Sequence, residues 1–139
     1  MRSSRQNGAE TLLSSELPLP ARRSELGAAR QYAADSAEAF GLDEASCYEF
    51  VVAVNEAVTN AIRHGASDDQ GLIHLSIIAD ADRLTFEVRD RGTFVMPDLD
   101  SSLGAENGRG LALMASLVDE VQLEIEPGGT TVRLSKARP

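Results

Sequence analysis

Alternating apolar residues mark two predicted β-hairpins, and this pattern constrains the fold more than any other feature of the chain. The apolar positions of the first hairpin, around the turn Asp80-Ala81-Asp82, are Ile73, Leu75, Ile77, Leu84, Phe86 and Val88. Those of the second, around the turn Pro127-Gly128-Gly129, are Val121, Leu123, Ile125, Val132 and Leu134. A hairpin pairs antiparallel strands, and alternation with period two gives each hairpin one apolar face. The rest of the chain must therefore supply a layer that covers this face.

Helical periodicity ahead of the first hairpin predicts two elements of that layer. We expect a helix over residues 24–40, capped by Ser24 and ended by Gly41. A second, longer helix is predicted from a cap at Asp43 to about residue 64. Both patterns place apolar residues on one stripe of the helix, as expected for a helix that covers a sheet.

A third helix and a first strand complete the predicted elements. The helix is expected over about residues 110–119, and the strand over residues 12–17, ended by Pro18 and Pro20. Helices and strands in this order predict an α+β fold, a two-layer sandwich of helices on one face of a mainly antiparallel sheet.

Length and charge limit the class of protein. A chain of 139 residues fits one domain, which we expect at residues 11–136 after a disordered tail at residues 1–10. The formal charge of -9 argues against nucleic acid or an anionic membrane as a direct partner and favours proteins or small molecules. The single cysteine, Cys47, suits a reducing cytoplasm, where we expect the protein, and no long apolar run or signal-peptide core indicates secretion or a membrane span.

The chain has one lysine, Lys136, close to its C-terminal end. A P-loop and the nucleotide site of eukaryotic-type protein kinases each need an internal lysine on the phosphates. The sequence therefore excludes both of these nucleotide sites.

A carboxylate, an amide and an imidazole recur at four-residue intervals on the second predicted helix. Glu56, Asn60 and His64 share one face, which we expect to lie opposite the apolar stripe that includes Val54 and Val58. The face can be an ordinary solvated helix surface, because polar rows at this spacing are common. It can also be a site for acid-base or metal chemistry.

Strand parity places two further polar residues on the inner face of the sheet. Counting in twos from Phe86 and Val88 reaches Asp90, and Gly92 follows two residues later. Counting back from Leu134 reaches Thr130. Asp90 can simply cap a turn and Thr130 can be an ordinary strand residue; the alternative is that both face a ligand.

A glycine-flanked segment, Gly108-Arg109-Gly110-Leu111, lies at the start of the third predicted helix. The stretch before this helix, residues 91–109, has no periodicity, and we interpret it as a functional lid. Glycine permits close approach to a ligand, and the free N–H groups of a first helical turn favour phosphate. A flexible loop that ends at a helix start explains the same residues.

The order of these features resembles the N box and three glycine boxes of the GHKL ATP-binding fold. The matching segments are VNEAVTNAIRHG (54–65), FEVRDRG (86–92), GRGLALMASLVDEV (108–121) and GGTTVRL (128–134). Within the GHKL superfamily they are similar to the RsbW/SpoIIAB group of anti-sigma factor serine kinases.

The resemblance implies ATP and Mg²⁺ as cofactors and assigns roles to individual residues. Asn60 would hold Mg²⁺, and Glu56 would be the general base for a protein serine or threonine. Asp90 and Thr130 would contact adenine, and Gly92 would let the chain pass the base. The lid residues Gly108, Arg109, Gly110 and Leu111 would lie at the phosphates.

The resemblance also implies partners. We expect a protein serine/threonine kinase that sequesters a sigma factor, phosphorylates an anti-anti-sigma factor of the STAS type and forms a homodimer. A non-catalytic switch, in which ATP controls protein binding, is the alternative. The catalytic domain of a histidine kinase would need a phosphoacceptor histidine on another chain.

Overall fold

The computed structural model describes residues 10–65, 71–91 and 102–138, apart from the side chains of residues 64, 65 and 102–109. The strands in these ranges are β1 (Leu13–Pro20), β2 (Leu72–Ala79), β3 (Arg83–Asp90), β4 (Glu120–Glu126) and β5 (Gly129–Ala137). The α-helices are α1 (Leu26–Phe40), α2 (Glu44–Asn60) and α3 (Ser102–Leu117). A π-helical turn, Ala61–Gly65, follows α2 directly.

The five strands form one antiparallel sheet in the order β1-β2-β3-β5-β4. Both predicted hairpins are confirmed, because β2 pairs with β3 and β4 pairs with β5. Helix α1 packs on β2 and β3, α2 packs on β3 and β5, and α3 packs beside α2. The predicted α+β sandwich is therefore correct.

The core lies between the sheet and the helices. The buried inner residues of β2 and β3 are Ile73, Leu75, Ile77, Ala79, Leu84, Phe86 and Val88. Phe86 makes edge contacts with Tyr32 of α1 and Phe50 of α2, with ring centroids 5.6 and 6.0 Å apart. Burial of a Phe side chain stabilises the fold by roughly 1.5–3 kcal/mol, so this trio ties both helices to the sheet.

The boundary between α1 and α2 follows the predicted signals. Gly41 ends α1 with a φ of 101°, a left-handed conformation that suits glycine. Asp43 caps α2, and its carboxylate accepts a hydrogen bond of 2.8 Å from the backbone N–H of Ser46. This bond holds the pKa of the Asp43 carboxyl below its ordinary value.

Strand β1 continues through the two prolines that were expected to end it. Pro18 pairs with His74 and Pro20 pairs with Leu72. The strand lies at the edge of the sheet, where a proline can direct its missing N–H away from the ladder. The prediction of a strand that stops at residue 17 is therefore wrong.

The start of α1 also differs from the prediction. Ser24 lies inside a 3₁₀ turn, Arg23–Glu25, and Glu25 occupies the N-cap position without a side-chain hydrogen bond. Short 3₁₀ turns are frequent at helix N-termini, and here one connects β1 to α1. Ser24 is therefore not the cap.

Helix α3 begins eight residues earlier than predicted, at Ser102 rather than Gly110. Residues 91–109 were expected to form no helix because they contain three glycines and one proline and have no periodicity. A glycine lowers helix stability by about 1 kcal/mol relative to alanine. Extending an existing helix is easier than nucleating one, and the packing of α3 against α2 supports it. Of the predicted lid, residues 92–101 lie outside the described residues.

Candidate functional site

Asp90 and Thr130 are paired neighbours on β3 and β5, and both side chains are buried on the helix side of the sheet. Asp90 is 6% exposed and Thr130 is 4% exposed, as the strand parity predicted. Within the described part of the chain, the Oγ1 atom of Thr130 is buried without a hydrogen-bond partner. An unpaired buried hydroxyl costs roughly 1–3 kcal/mol, so a polar group of a ligand would stabilise this position.

Gly129 allows β5 to approach Asp90 closely. A methyl group built on Gly129 would overlap the carbonyl oxygen of Asp90 and lie 3.0 Å from the Cα atom of Arg91. The sequence analysis did not assign this role to Gly129, although a glycine directly before Thr130 was the available signal. Glycine is thus required for the pairing that brings Asp90 and Thr130 together.

Ile125 is a further residue at this site that sequence reasoning missed. It lies opposite Thr130 on β4, so Ile125, Thr130 and Asp90 form one row across three strands. Its side chain remains 46% exposed. The alternation within β4 was visible in the sequence, but the position of Ile125 in the row depends on strand register.

Glu56 and Asn60 lie together on α2, at its contact with α3. A methyl group built on Gly110 would lie 2.9 Å from Oε2 of Glu56 and 3.3 Å from Nδ2 of Asn60. Gly110 is buried, and both polar residues are half-buried. The structure therefore brings Glu56, Asn60 and Gly110 into one cluster.

The expectation that Glu56 and Asn60 lie opposite the core is wrong. The buried residues of α2 are Phe50, Ala53, Val54, Ala57 and Val58. Helix α2 is the middle helix, and α1 and α3 cover it from two sides while it packs on the sheet. The buried stripe is therefore wide, and the two polar residues flank it.

The remaining predicted site residues are distributed as follows. Gly108 and Arg109 lie inside α3 rather than at its start, so the argument from free N–H groups of a first turn does not hold for them. Leu111 is partly buried against the core. Gly92 lies outside the described residues, and so does the side chain of His64.

Two parts of the site belong to adjoining elements. Asp90 is the last residue of β3 and Thr130 is the second residue of β5, and α2 packs on both strands. The π-helical turn after Asn60 also packs against β3. Among the described residues, no group of three or more His, Cys, Asp or Glu side chains could hold a metal ion. A metal ion here would need oxygen ligands from an amide and from a ligand, which is the set that Mg²⁺ accepts.

Comparison with known proteins identifies the domain. Residues 19–136 match the sequence model of a family described as histidine kinase-like ATPase domain. The chain belongs to this family of ATPases. The GHKL resemblance is thereby confirmed, and it places Asp90, Thr130, Glu56 and Asn60 inside the matched ATPase domain.

Relatives and a solved structure agree with this assignment of the ATPase domain. An anti-sigma F factor of Thermoanaerobacter sp. (strain X514) is 36% identical over 93 residues, which cover 60% of this chain and 65% of that protein. A serine-protein kinase RsbW of Bacillus licheniformis is 31% identical over 135 residues, which cover 87% of this chain and 83% of that kinase. The crystal structure of the RsbU and RsbW domains of a Mycobacterium tuberculosis protein has a TM-score of 0.71 at 25% identity, and the match covers 91% of this chain and 33% of that one.

This chain spans just under two thirds of the anti-sigma F factor and one third of the solved mycobacterial chain. In the part of the chain that the structure describes, the helices are too short or too polar to cross a bilayer.

Proposed function

We propose that this chain is an ATP-dependent protein serine/threonine kinase that binds a sigma factor and phosphorylates an anti-anti-sigma factor of the STAS type. One observation carries most of the proposal: the buried hydroxyl of Thr130, which has no hydrogen-bond partner among the described residues, belongs to the strand neighbour of the buried Asp90. Relatives described as an anti-sigma F factor and as serine-protein kinase RsbW support the choice of activity.

The pair Asp90 and Thr130 suits the edge of an adenine base. The Asp90 carboxylate would accept a hydrogen bond from the exocyclic amino group, and Thr130 Oγ1 would bond to a ring nitrogen directly or through water. Low exposure of both groups strengthens these bonds and favours a base with the correct donor pattern. The half-exposed Ile125 in the same row would offer an apolar contact beside the base.

The cluster on α2 suits the phosphate end. Asn60 would supply an amide oxygen to Mg²⁺, which when bound neutralises charge on the phosphates. Glu56 would accept the proton of the partner's serine or threonine hydroxyl as its oxygen bonds to the γ-phosphorus and ADP leaves. Because Gly110 has no side chain, α3 can pass close to both side chains, which a methyl group at this position would crowd.

The partners belong to the same proposal. A protein serine or threonine is the acceptor, the sigma factor is the sequestered protein, and the chain acts as a homodimer in the cytoplasm. Residues 11–136 constitute the functional domain. The formal charge of -9 is consistent with protein partners and unfavourable for direct binding to nucleic acid.

A non-catalytic switch is the second candidate, and the position of α3 favours it. The Glu56 carboxylate lies against the backbone of α3 at Gly110, so a partner hydroxyl must reach it beside this helix. If that approach is closed in every nucleotide state, ATP would control partner binding without phosphoryl transfer.

One experiment separates the two candidates. The full chain is incubated with ATP, Mg²⁺ and candidate STAS-domain proteins from the same genome, and the partner is analysed by mass spectrometry for a phosphorylated serine or threonine. We expect a single phosphorylated residue on one candidate. ATP-dependent partner binding without any phosphorylation would replace the kinase with the switch, and absence of nucleotide binding would refute both.

A further inference from the structure

Lys136, the single lysine of the chain, connects two helices from the end of β5. Its Nζ atom donates hydrogen bonds to the carbonyl oxygen of Leu117 at 2.7 Å and to Oε1 of Glu49 at 2.8 Å. Leu117 is the last residue of α3, and Glu49 lies on α2. The lysine side chain is 12% exposed, so this three-way contact is largely shielded from solvent.

A cation suits this position. The last carbonyl groups of a helix lack intrahelical partners and carry the negative end of the helix dipole. Lys136 donates to one of these carbonyls and pairs its charge with Glu49 at the same time. One side chain therefore both caps α3 and fastens its C-terminal end to α2.

The spacing along the two helices links this contact to the candidate site. Seven positions separate Glu49 from Glu56 on α2, and seven separate Gly110 from Leu117 on α3. Seven residues of α-helix span about 10.5 Å, so the two intervals match. Lys136 therefore joins the antiparallel helices at one end, and at the other end α3 passes close to Glu56 and Asn60 at Gly110.

Two further hydrogen bonds attach the residues after α3 to β5. The N–H of Asp119 donates to the carbonyl of Ser135 at 2.9 Å, and the N–H of Ala137 donates to Oδ2 of Asp119 at 2.6 Å. These bonds join the chain after α3 to β5, and Lys136 extends the same connection to α2. A change at Lys136 would thus shift α3 relative to α2 without detaching it from the sheet.

We propose that Lys136 is a positioning residue, which acts through α3 to fix the geometry of Glu56 and Asn60 at Gly110. The predicted fall in kcat rests on the proposed kinase function, whereas the predicted shift of α3 relative to α2 can be measured without activity. The proposal predicts that loss of the cation slows phosphoryl transfer more than it weakens nucleotide binding. The proposed adenine contacts, Asp90 and Thr130, lie on β3 and β5 and not on α2 or α3.

The test compares Lys136→Met with Lys136→Arg. For Lys136→Met we expect kcat for phosphorylation of the partner to fall about fivefold or more, while the dissociation constant for ADP measured without Mg²⁺ changes by less than about twofold. Lys136→Arg retains a cation that can donate to both oxygens, and we expect kcat within about twofold of the parent. Glu49→Gln removes the ion pair but keeps the bond of Lys136 to Leu117, so we expect a smaller fall in kcat; it is the second variant if Lys136→Met does not fold.

Arg83→Met is the matched control, because it removes a surface ion pair of similar length, 2.7 Å to Glu120, that joins β3 to β4. Its kcat should equal that of the parent. A parent-like kcat in Lys136→Met and Glu49→Gln, or an equal loss in Arg83→Met, would overturn the proposal.

An NMR comparison of the nucleotide-free proteins tests the positioning step without activity. We expect the backbone amide signals of Gly110 and Glu56 to shift in Lys136→Met and to return towards the parent in Lys136→Arg. Unchanged signals in Lys136→Met would overturn the positioning role even in an active kinase. If the parent protein phosphorylates no partner and the signals still shift in Lys136→Met, the positioning role is supported and only the kinase function is refuted.

Discussion

Replacement of Thr130 by valine should stabilise the free protein. Valine keeps the shape of threonine but exchanges the hydroxyl for a methyl group, and the Thr130 hydroxyl is buried without a partner in the described part of the chain. Removal of such a group recovers part of a desolvation penalty of roughly 1–3 kcal/mol. We expect the free energy of unfolding to rise by about 1 kcal/mol, since the methyl group must also fit the space of the hydroxyl. This corresponds to an increase in Tm of about 2–6 °C for a chain of this length.

The same change should weaken nucleotide binding. Loss of one hydrogen bond to adenine costs roughly 0.5–1.5 kcal/mol, which is an increase in the Kd for ADP of about 2- to 12-fold. Thermal unfolding without nucleotide measures the first effect, and isothermal titration calorimetry with ADP measures the second. Thr131→Val is the matched control, because Thr131 is the next residue of β5, is also buried and faces the other side of the sheet.

The two effects of Thr130→Val have opposite signs, which separates this explanation from general damage to the fold. A variant that is less stable than the parent without nucleotide would refute the assignment of an unpaired hydroxyl. A variant that binds ADP as tightly as the parent would remove Thr130 from the adenine site. Equal losses of ADP affinity in Thr130→Val and Thr131→Val would show that the effect is not specific to the inner face.

Three further predictions concern other residues of the fold and the site. Asp90→Asn replaces a charged acceptor and should weaken ADP binding by roughly 1.5–3 kcal/mol in calorimetry, whereas an unchanged affinity would exclude Asp90 from the site. Gly129→Ala should lower the free energy of unfolding, measured in urea, by roughly 2 kcal/mol or more, because the added methyl group meets the backbone at Asp90. Gly128→Ala is the control and should have little effect, because its methyl group meets no atom within 4 Å. Burial, with a smaller contribution from the nearby carboxylates of Glu38 and Asp43, raises the pKa of the Cys47 thiol. The rate of its alkylation by iodoacetamide in the native protein should therefore still increase above about pH 9. A rate that reaches its plateau by about pH 8 would contradict this.

The elements that follow from local pattern were predictable from the sequence. Alternation within 72–90 and 120–137 identified both hairpins, and it also placed Asp90 and Thr130 on the inner face. Capping chemistry identified the start of α2 at Asp43 and the end of α1 at Gly41. These features depend on residues that are close in sequence, so they can be predicted from a single sequence.

The features that depend on tertiary packing were not predictable in the same way. Pro18 is compatible with a strand only because β1 is at the edge of the sheet, and strand order is not visible in local sequence. The early start of α3 depends on its packing against α2, which outweighs the low helix propensity of its glycines. The orientation of Glu56 depends on which sides of α2 are covered, and a helical wheel does not contain that information.

The link between Lys136 and Glu49 also depends on tertiary structure. The two residues are 87 positions apart, and the sequence shows only that one lysine is present near the end of the chain. Its contact with the last carbonyl of α3 requires the arrangement of β5, α2 and α3 together.

The measurement that tests the central claim most directly is a comparison of Glu56→Gln and Asn60→Ala, each assayed for ADP binding in Mg²⁺ and for phosphorylation of the partner. Glu56→Gln keeps the size of the side chain but removes the base, so phosphorylation should fall by roughly 10²- to 10⁴-fold while nucleotide binding persists. Asn60→Ala should reduce Mg²⁺-dependent binding and phosphorylation together. Phosphorylation at the parent rate in Glu56→Gln would contradict the assignment of the general base, and unchanged Mg²⁺-dependent binding in Asn60→Ala would contradict the assignment of the metal ligand.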